Sequence, residues 1–269
     1  MQLEKNYQKA EAFIRSAAAQ GAHLAVLPEY HLTNWLPKDP GFRDACAQWQ
    51  TYLDKYRALA KECSICIVPG TIVELHKDAT IDVTGIAKGE ENEAGERLLN
   101  VAYFIDTNGE IVGKYVKKNL WGSIERLHLT SSARDPHPVF DTPLGKVGML
   151  ICWDLAFPEA FREMISQGAK IIIVPTFWTF SDCSKEGLAR NPVAEGLFLD
   201  SILTSRCFEN TCGGSHAQAG IVSDNQADNM QQSSSRTPEG HLARATQACR
   251  KCARRTWGLL PDWGAAQRV

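Results

Sequence analysis

The sequence lacks any apolar run long enough to form a membrane-spanning helix. Its 269 residues are 44% hydrophobic and 22% charged, as in ordinary globular proteins. No segment approaches the roughly 18 consecutive apolar residues that a membrane helix needs. Residues 1–6 also lack the basic and then apolar pattern of a secretory signal. We therefore expect a cytoplasmic globular protein that does not bind membranes.

A large excess of charge of either sign is also missing. The formal net charge of −2 at pH 7 argues against nucleic-acid binding as the main function. Residues 213–269 are mildly basic, with seven Arg or Lys against four Asp or Glu. A basic-tail protein that binds RNA or a membrane surface is therefore a weaker alternative, and a solvated tail is the plainer interpretation. We expect no nucleic-acid partner.

The cysteines do not form the regular framework of a disulfide-stabilised protein. There are nine of them, an odd number at scattered spacings, which is typical of reduced thiols in the cytosol. The pairs Cys63/Cys66 and Cys249/Cys252 have the internal spacing of zinc ligands. The two pairs are far apart in sequence, however, and a redox role for the first pair is no better supported. We therefore expect no metal site.

Apolar patterning predicts alternating helices and strands. An amphipathic helix is expected over residues 5–19, where apolar residues recur at helical spacing, and a second helix over 41–62. Short apolar runs predict strands at 24–27, 65–68, 71–75 and 99–105. The Asn108-Gly109 pair predicts a hairpin turn that joins the last of these strands to the next, at 110–115.

One helix-turn-strand unit occurs twice along the chain. Residues 20–28 and 167–175 share the order Gln, Gly, Ala, an apolar run and Pro, at an offset of 147 residues. A strand at 147–151 and a helix at 158–167 precede the second copy, whereas the first copy lacks the equivalent opening strand. A doubled unit predicts an α/β fold in which two sheets form a sandwich with pseudo-twofold halves. A chance match is the alternative.

The composition changes after residue 212. Residues 213–256 are rich in Ser, Gln, Asn, Ala and Arg and have almost no β-branched or aromatic residues. Such a segment buries little apolar surface. We therefore predict one domain over residues 1–212 and a disordered or poorly packed tail over 213–269.

Three reactive side chains follow predicted strands. Glu29 follows strand 24–27, Lys117 follows the strand through Tyr115, and Cys152 follows strand 147–151. In open α/β sheets, ligands bind at the carboxyl ends of strands. An amide is a poor electrophile, and a cysteine thiolate is a strong nucleophile for it.

Each residue also has a plausible chemical role in amide cleavage. Lys117 would lower the pKa of the thiol by stabilising the thiolate, and would hold the oxyanion. Glu29 would carry the proton from the thiol to the leaving nitrogen and then activate water. Taken singly, Cys152 fits a buried structural thiol, Glu29 a helix cap or surface acid, and Lys117 a solvated lysine.

These residues stand in three motifs that resemble those of the nitrilase superfamily of carbon–nitrogen hydrolases. The motifs are Leu24-Ala25-Val26-Leu27-Pro28-Glu29-Tyr30, Gly113-Lys114-Tyr115-Val116-Lys117-Lys118-Asn119-Leu120-Trp121 and Gly148-Met149-Leu150-Ile151-Cys152-Trp153-Asp154-Leu155-Ala156-Phe157-Pro158-Glu159. They occur in the family's order, and the resemblance covers about residues 1–212.

The resemblance implies a four-layer α-β-β-α sandwich that hydrolyses an amide, a nitrile or an N-carbamoyl compound through a thioester on Cys152. It assigns Glu29 as the base, Lys117 as the cation and Glu125 as a supporting acid. The Trp153 backbone N–H would join Lys117 in the oxyanion hole. The mechanism needs no metal or organic cofactor, and the family implies a homodimer or higher oligomer.

Two further expectations concern the pocket and the completeness of the chain. Trp153, Phe177 and Trp178 follow strand ends, so they are candidates for lining a substrate pocket, with core packing as the alternative. Compared with the family, the chain lacks its first strand and diverges after residue 212. We therefore expect a truncated chain, and an inactive relic of the family is the alternative function.

Overall fold

The computed structural model describes residues 1–77, 96–179 and 183–219, with 215–219 described by their backbone alone. The elements of the first half are α1 (Leu3–Ala19), β1 (Leu24–Val26), α2 (Phe42–Cys46), α3 (Trp49–Cys63), β2 (Cys66–Val68), β3 (Ile72–His76), β4 (Arg97–Ile105) and β5 (Ile111–Val116). Those of the second half are α4 (Gly122–His128), β6 (Val139–Thr142), β7 (Gly145–Met149), a 3-10 helix (Cys152–Ala156), α5 (Pro158–Ser166), β8 (Ile171–Phe177), α6 (Lys185–Arg190), α7 (Ala194–Asn210) and β9 (Gly213–Ala219).

The strands form two sheets. The first has the order β1-β2-β4-β3, with β5 also paired to β4. In it β1 and β2 are parallel, and β4 runs antiparallel to β2, β3 and β5. The second sheet has the order β6-β7-β8-β9, in which β7, β8 and β9 are parallel.

Strand β4 shows how the layers are stacked. Val101, Tyr103 and Ile105 pack in a core with α1 and α3, whereas Ala102 and Phe104 pack in a core with the second sheet and α5. Successive residues of a strand point to opposite faces, so a continuously apolar strand fits a sheet that is covered on both sides. The predicted four-layer α-β-β-α sandwich is confirmed.

Two glycines allow neighbouring layers to approach closely. A Cβ atom on Gly113 of β5 would lie 2.8 Å from the ring of Phe140 on β6. A Cβ atom on Gly148 of β7 would lie 2.4 Å from the sulfur of Met164 on α5. Side chains larger than hydrogen at these positions would push the layers apart, so the spacing of the second sheet from its neighbours depends on both glycines.

The repeated unit adopts the same local structure in both halves. After α1, Gly21 has a φ of 76°, and after α5, Gly168 has a φ of 93°. Glycine adopts this left-handed conformation without the steric penalty that a Cβ brings. In each copy the turn returns the chain into a strand, β1 in the first sheet and β8 in the second.

The predicted helix over 41–62 is wrong in one respect, because the chain forms two helices there. Gln48 donates its N–H to the Ala45 carbonyl three residues back, rather than four, and this ends the first α-helical pattern. The break lets Phe42 of α2 pack in a small separate cluster, while Tyr56 of α3 packs on the first sheet.

Strand β9 extends the second sheet beyond residue 212. It pairs in parallel with β8 from Ile171 opposite Gly213 to Phe177 opposite Ala219. The first seven residues of the predicted tail, 213–219, therefore form a strand of the second sheet. Residues 220–269 lie outside the described part of the chain. Within the described ranges, no helix has the length and apolar character needed to cross a bilayer.

Candidate active site

The three predicted catalytic residues come together from three strand ends. Glu29 follows β1 by three residues, Lys117 directly follows β5, and Cys152 begins the 3-10 helix three residues after β7. Their relative exposures are 1%, 0% and 4% respectively. Ionisable groups are rarely this buried unless they are paired, so their partners determine what the site can do.

Lys117 lies between two buried carboxylates. Its Nζ donates to Glu29 Oε1 at 2.9 Å and to Glu125 Oε1 at 2.7 Å. Glu125 is 4% exposed and also accepts hydrogen bonds from the Tyr30 hydroxyl at 2.6 Å and the Trp121 backbone N–H at 2.6 Å. Three donors therefore converge on the Glu125 side chain. The structure thus brings the predicted supporting acid into contact with the predicted cation.

Glu29 is held in one orientation through both carboxylate oxygens. Its Oε1 accepts from Lys117 and from Asn100 Nδ2 at 2.9 Å, and its Oε2 accepts from the Phe177 backbone N–H at 2.9 Å. Asn100 belongs to β4 and Phe177 ends β8, so residues of both sheets fix this carboxylate. A base positioned in this way keeps its geometry without reorganisation during reaction.

Cys152 has an unusual backbone conformation. Its φ is +47°, in the left-handed region that side chains other than glycine rarely adopt and that often marks functional sites. The thiol donates to the Phe177 carbonyl at 3.5 Å. Phe177 therefore touches both Glu29 and Cys152 through its backbone, while its ring makes an edge contact with Tyr30 at 6.0 Å.

Burial and charge set the protonation of the base and the thiol. Burial raises the pKa of Glu29 to about 7, against the opposing effect of Lys117. Burial and the negative charge of Glu29 raise the pKa of the Cys152 thiol well above its usual range. Lys117 acts in the expected direction on the thiol, but the net shift is upward. The predicted lowering of the thiol pKa by Lys117 is therefore outweighed.

Lys117 itself remains a cation. Burial alone would lower the pKa of its ammonium group, but Glu29, Cys152 and Glu125 together raise this pKa above its usual range. Its neighbour Lys118 has a different environment, because its Nζ donates to the carbonyls of Ser132 and Asp135. Lys118 thus holds a loop, whereas Lys117 faces the thiol and the two carboxylates.

An aromatic cluster lies beside the nucleophile. Trp153 packs against Trp121 with a centroid distance of 4.4 Å and against Trp178 at 5.7 Å. Phe198 of α7 lies 5.5 Å from Trp178. Trp178 is 3% exposed and donates its indole N–H to Glu195, so it is part of the core, whereas Trp153 is half-buried and adjoins Cys152.

Three polar residues of this region are missing from the sequence prediction. Asn100 is the one polar residue in the apolar stretch 98–105, and this isolation was a usable signal. Both others lie inside the motifs near a stronger candidate: Tyr30 directly follows Glu29, and Asp154 lies two residues after Cys152. Asp154 is fully buried and accepts from the Ile151 backbone N–H at 3.0 Å.

The alternative metal site gains no support from the described residues. Cys63 lies at the end of α3 and is half-buried, while Cys66 is buried in β2. No cluster of three or more metal-ligating side chains occurs in ranges 1–77, 96–179 and 183–219. The other pair, Cys249 and Cys252, lies outside these ranges.

Comparisons with known proteins find relatives that match part of this chain. The deaminated glutathione amidase of Bos taurus is 26% identical over 182 residues, which cover 64% of this chain and 51% of that protein. Nitrilase 3 of Arabidopsis thaliana is 32% identical over 172 residues, covering 62% of this chain and 48% of that protein. The chain thus spans about half the length of these curated relatives.

Solved structures share the fold at lower identity. A carbon–nitrogen hydrolase from Helicobacter pylori G27 matches with a TM-score of 0.65 and 23% identity, covering 81% of this chain and 70% of that one. A mutant of the amidase from Nesterenkonia sp. AN1, which carries the acetamide moiety of fluoroacetamide on its active-site cysteine, matches with a TM-score of 0.60 and 20% identity over 81% and 71% of the two chains. A family model described as carbon-nitrogen hydrolase matches residues 1–212. The chain therefore belongs to the carbon–nitrogen hydrolase family.

Proposed function

We propose that this chain hydrolyses a non-peptide carbon–nitrogen bond of a small amide, nitrile or N-carbamoyl compound, with Cys152 as the nucleophile. The observation that carries the proposal is the buried ammonium of Lys117 between Glu29 and Glu125, next to the thiol of Cys152. Such a constellation supplies a base, a cation and a nucleophile within one enclosed site. Family membership supports the reaction class.

In the first half of the proposed reaction, Cys152 attacks the carbonyl carbon of an amide while Glu29 accepts the thiol proton. The carbonyl oxygen becomes an oxyanion, which Lys117 stabilises. The Trp153 backbone N–H is a second donor, since it lies in the first turn of the 3-10 helix, where N–H groups have no partner within the helix. Glu29 then gives the proton to the nitrogen, which leaves as ammonia, and a thioester remains on Cys152.

In the second half, water replaces ammonia. Glu29 removes a proton from the water, the resulting hydroxide attacks the thioester, and the carbon–sulfur bond breaks. The proton returns to the sulfur, and the carboxylic acid leaves. General acid–base catalysis is most effective when the pKa of the group lies near the working pH, and the pKa of about 7 for Glu29 meets this condition.

Glu125 and the aromatic residues have supporting roles in this proposal. Glu125 fixes the ammonium of Lys117, and the half-buried Trp153 forms one wall for the substrate. Phe177 contributes through its backbone, which contacts both Glu29 and Cys152. Trp178 supports Trp153 from the core. A cytoplasmic location and a homodimeric or larger assembly stay predictions.

The test is turnover and trapping on the full chain. The protein is incubated with acetamide, propionamide, succinamate, benzonitrile and N-carbamoylglycine, ammonia release is measured, and the mass of the Cys152 peptide is determined after a rapid acid quench. We expect ammonia from at least one compound and a matching acyl mass on Cys152. The Cys152→Ala variant should lose both signals.

The matched control is Cys63→Ala, which removes a half-buried thiol at the end of α3 and should leave both signals unchanged. Absence of ammonia and of any acyl mass across the panel, from a chain that unfolds cooperatively, would overturn the proposed function. It would favour the inactive relic instead. An acyl group on another cysteine would overturn the role of Cys152 alone.

A further inference from the structure

Asp154 is a fully buried carboxylate that the proposed reaction does not use. Its Oδ1 accepts from the Asn119 backbone N–H and from Asn119 Nδ2, both at 2.8 Å. Its Oδ2 accepts from the Ile151 backbone N–H at 3.0 Å and from the Tyr115 hydroxyl at 2.9 Å. Four donors around one buried carboxylate form a fully satisfied network, and such networks rigidify their surroundings.

The four donors belong to two separate chain segments that carry the proposed catalytic groups. Ile151 directly precedes Cys152, while Asn119 and Tyr115 each lie two residues from Lys117. Asp154 therefore joins the nucleophile segment of the second sheet to the lysine segment of the first. These four bonds fix the position of one segment relative to the other.

The bond to Ile151 also bears on the strained backbone of the nucleophile. Asp154 accepts the Ile151 N–H through its side chain, and its own N–H donates to the Ile151 carbonyl at 3.1 Å. This reciprocal pair closes a tight turn around Cys152, whose φ is +47°. A left-handed conformation at a residue other than glycine persists only where the surrounding structure enforces it.

We propose that Asp154 is a positioning residue, which holds the Cys152 thiol in register with Lys117 and Glu29 by joining the two segments that carry them. The inference rests on the proposed function, because it concerns how that reaction is aligned. Asp154 touches no reacting atom and acts through the backbone on either side of Cys152 and through Asn119.

The test compares the full chain with its Asp154→Asn variant. A carboxamide keeps the size of the side chain but has one acceptor oxygen, so its NH₂ group would face either the Asn119 donors or the Ile151 and Tyr115 donors. Misplacement of a reacting group by about 1 Å can reduce the rate about 100-fold. For the panel compound that the full chain turns over fastest, we expect kcat to fall by about that factor and KM to stay within about threefold.

The pH profile separates positioning from a purely structural role. The neighbouring Cys152 thiol is one of the groups that lower the pKa of Glu29, which also faces Lys117 and Glu125. If the thiol moves away, the pH midpoint of kcat should shift upward, because one of the groups that lower the pKa of Glu29 is lost. A residue that only stabilises the fold would reduce the melting temperature and leave the profile of the folded molecules unchanged.

The matched control is Asp141→Asn, which changes an exposed aspartate of β6 with a side-chain exposure of 85% and should alter neither kcat nor its pH profile. Should Asp154→Asn fail to fold, Asn119→Ala replaces it, since it removes one of the four donors and keeps the backbone N–H. We expect about a tenfold fall in kcat for that variant.

The outcomes distinguish this inference from the function on which it rests. An inactive wild-type chain overturns the proposed function and the inference with it. An active wild-type chain with a folded Asp154→Asn variant of equal kcat and unchanged pH midpoint overturns the positioning role and leaves the function standing. If Asn119→Ala is used instead, an unchanged kcat and an unchanged pH midpoint likewise overturn the positioning role and leave the function standing.

Discussion

Replacing Lys117 by methionine should destabilise the protein in a strongly pH-dependent way. The ammonium group makes two ion pairs, of 2.9 Å and 2.7 Å, in which all side chains are at most 5% exposed. At an effective dielectric constant of about 20, each pair contributes roughly 6 kcal/mol of attraction, most of which offsets the dehydration of the charges. Removal of one partner from a buried pair costs about 3–5 kcal/mol, because the remaining charge is left unpaired.

The cost should depend on whether Glu29 is ionised. Burial raises the pKa of Glu29 to about 7 and Lys117 lowers it, so the substitution raises it further. A carboxyl whose pKa is raised in the folded state is favourable below its unfolded pKa, and this stability is lost as the pH rises through the folded pKa. We therefore expect a loss of about 3–5 kcal/mol at pH 8 and a clearly smaller loss at pH 5.

Urea titration of Lys117→Met and wild type at both pH values measures the free energy of unfolding. The matched control is Lys146→Met, which breaks the 3.1 Å pair with Asp141, where the two side chains are 47% and 85% exposed. Exposed pairs contribute little, so no measurable change is expected there. Adding Glu125→Gln to Lys117→Met should recover part of the loss, since one unpaired charge is removed.

Two results would refute this reasoning. A loss below about 1 kcal/mol at pH 8 would mean that the carboxylates do not depend on Lys117 as a counter-ion. An equal loss at pH 5 and pH 8 would mean that the cost arises from packing of the lysine chain rather than from charge. Either result would remove the electrostatic basis for assigning Lys117 to the reaction.

Three further predictions follow from the site and the core. Turnover of the wild type should rise with pH through about 7, where Glu29 becomes ionised, and a flat rate between pH 6 and 8 would contradict a role for this base. Glu29→Gln should reduce kcat by about 10²–10⁴-fold. It should also lower the pKa of the Cys152 thiol, because the charge of Glu29 raises that pKa in addition to burial, and iodoacetamide labelling followed by mass spectrometry over a pH series measures this change. Gly148→Ala should cost about 1–3 kcal/mol in urea unfolding, since its Cβ would lie 2.4 Å from the Met164 sulfur, and Met164→Ala in the same chain should recover part of it.

The meeting of Glu29, Lys117 and Cys152 was predictable because each follows an apolar strand. Strand runs and their ends are visible in sequence as side-chain patterns, and the carboxyl ends of parallel strands lie at one edge of a sheet. Glu29 and Lys117 share such an edge of the first sheet, and the stacking of the two sheets brings Cys152 of the second sheet to them. The fold class followed from the same patterns, through the repeated helix, glycine and strand around Gly21 and Gly168. Their positive φ values are the physical reason that the glycines recur.

Contacts between distant polar residues were not predictable in this way. Asn100 and Asp154 stand out as polar residues in apolar surroundings, but no local pattern indicates that the first donates to Glu29 and the second accepts from Asn119. Such pairings depend on the packing of the two sheets. Strand β9 was not predicted for another reason. Its parallel pairing with β8 uses backbone N–H and C=O groups, which do not depend on the side chain except at proline. Residues 213–219 therefore pair despite their small and polar composition.

The charges around Cys152 determine how the thiol attacks in the proposed mechanism. Glu29 and Glu125 share the single cation Lys117, so a free thiolate would add a further negative charge to a buried site. This is why the pKa of the thiol is raised by burial and Glu29, despite Lys117. Transfer of the proton to Glu29 during attack leaves the net charge of the site unchanged. The arrangement therefore favours attack coupled to proton transfer over a preformed thiolate. The thiol gives its proton to Glu29 while its sulfur bonds to the carbonyl carbon of the bound substrate.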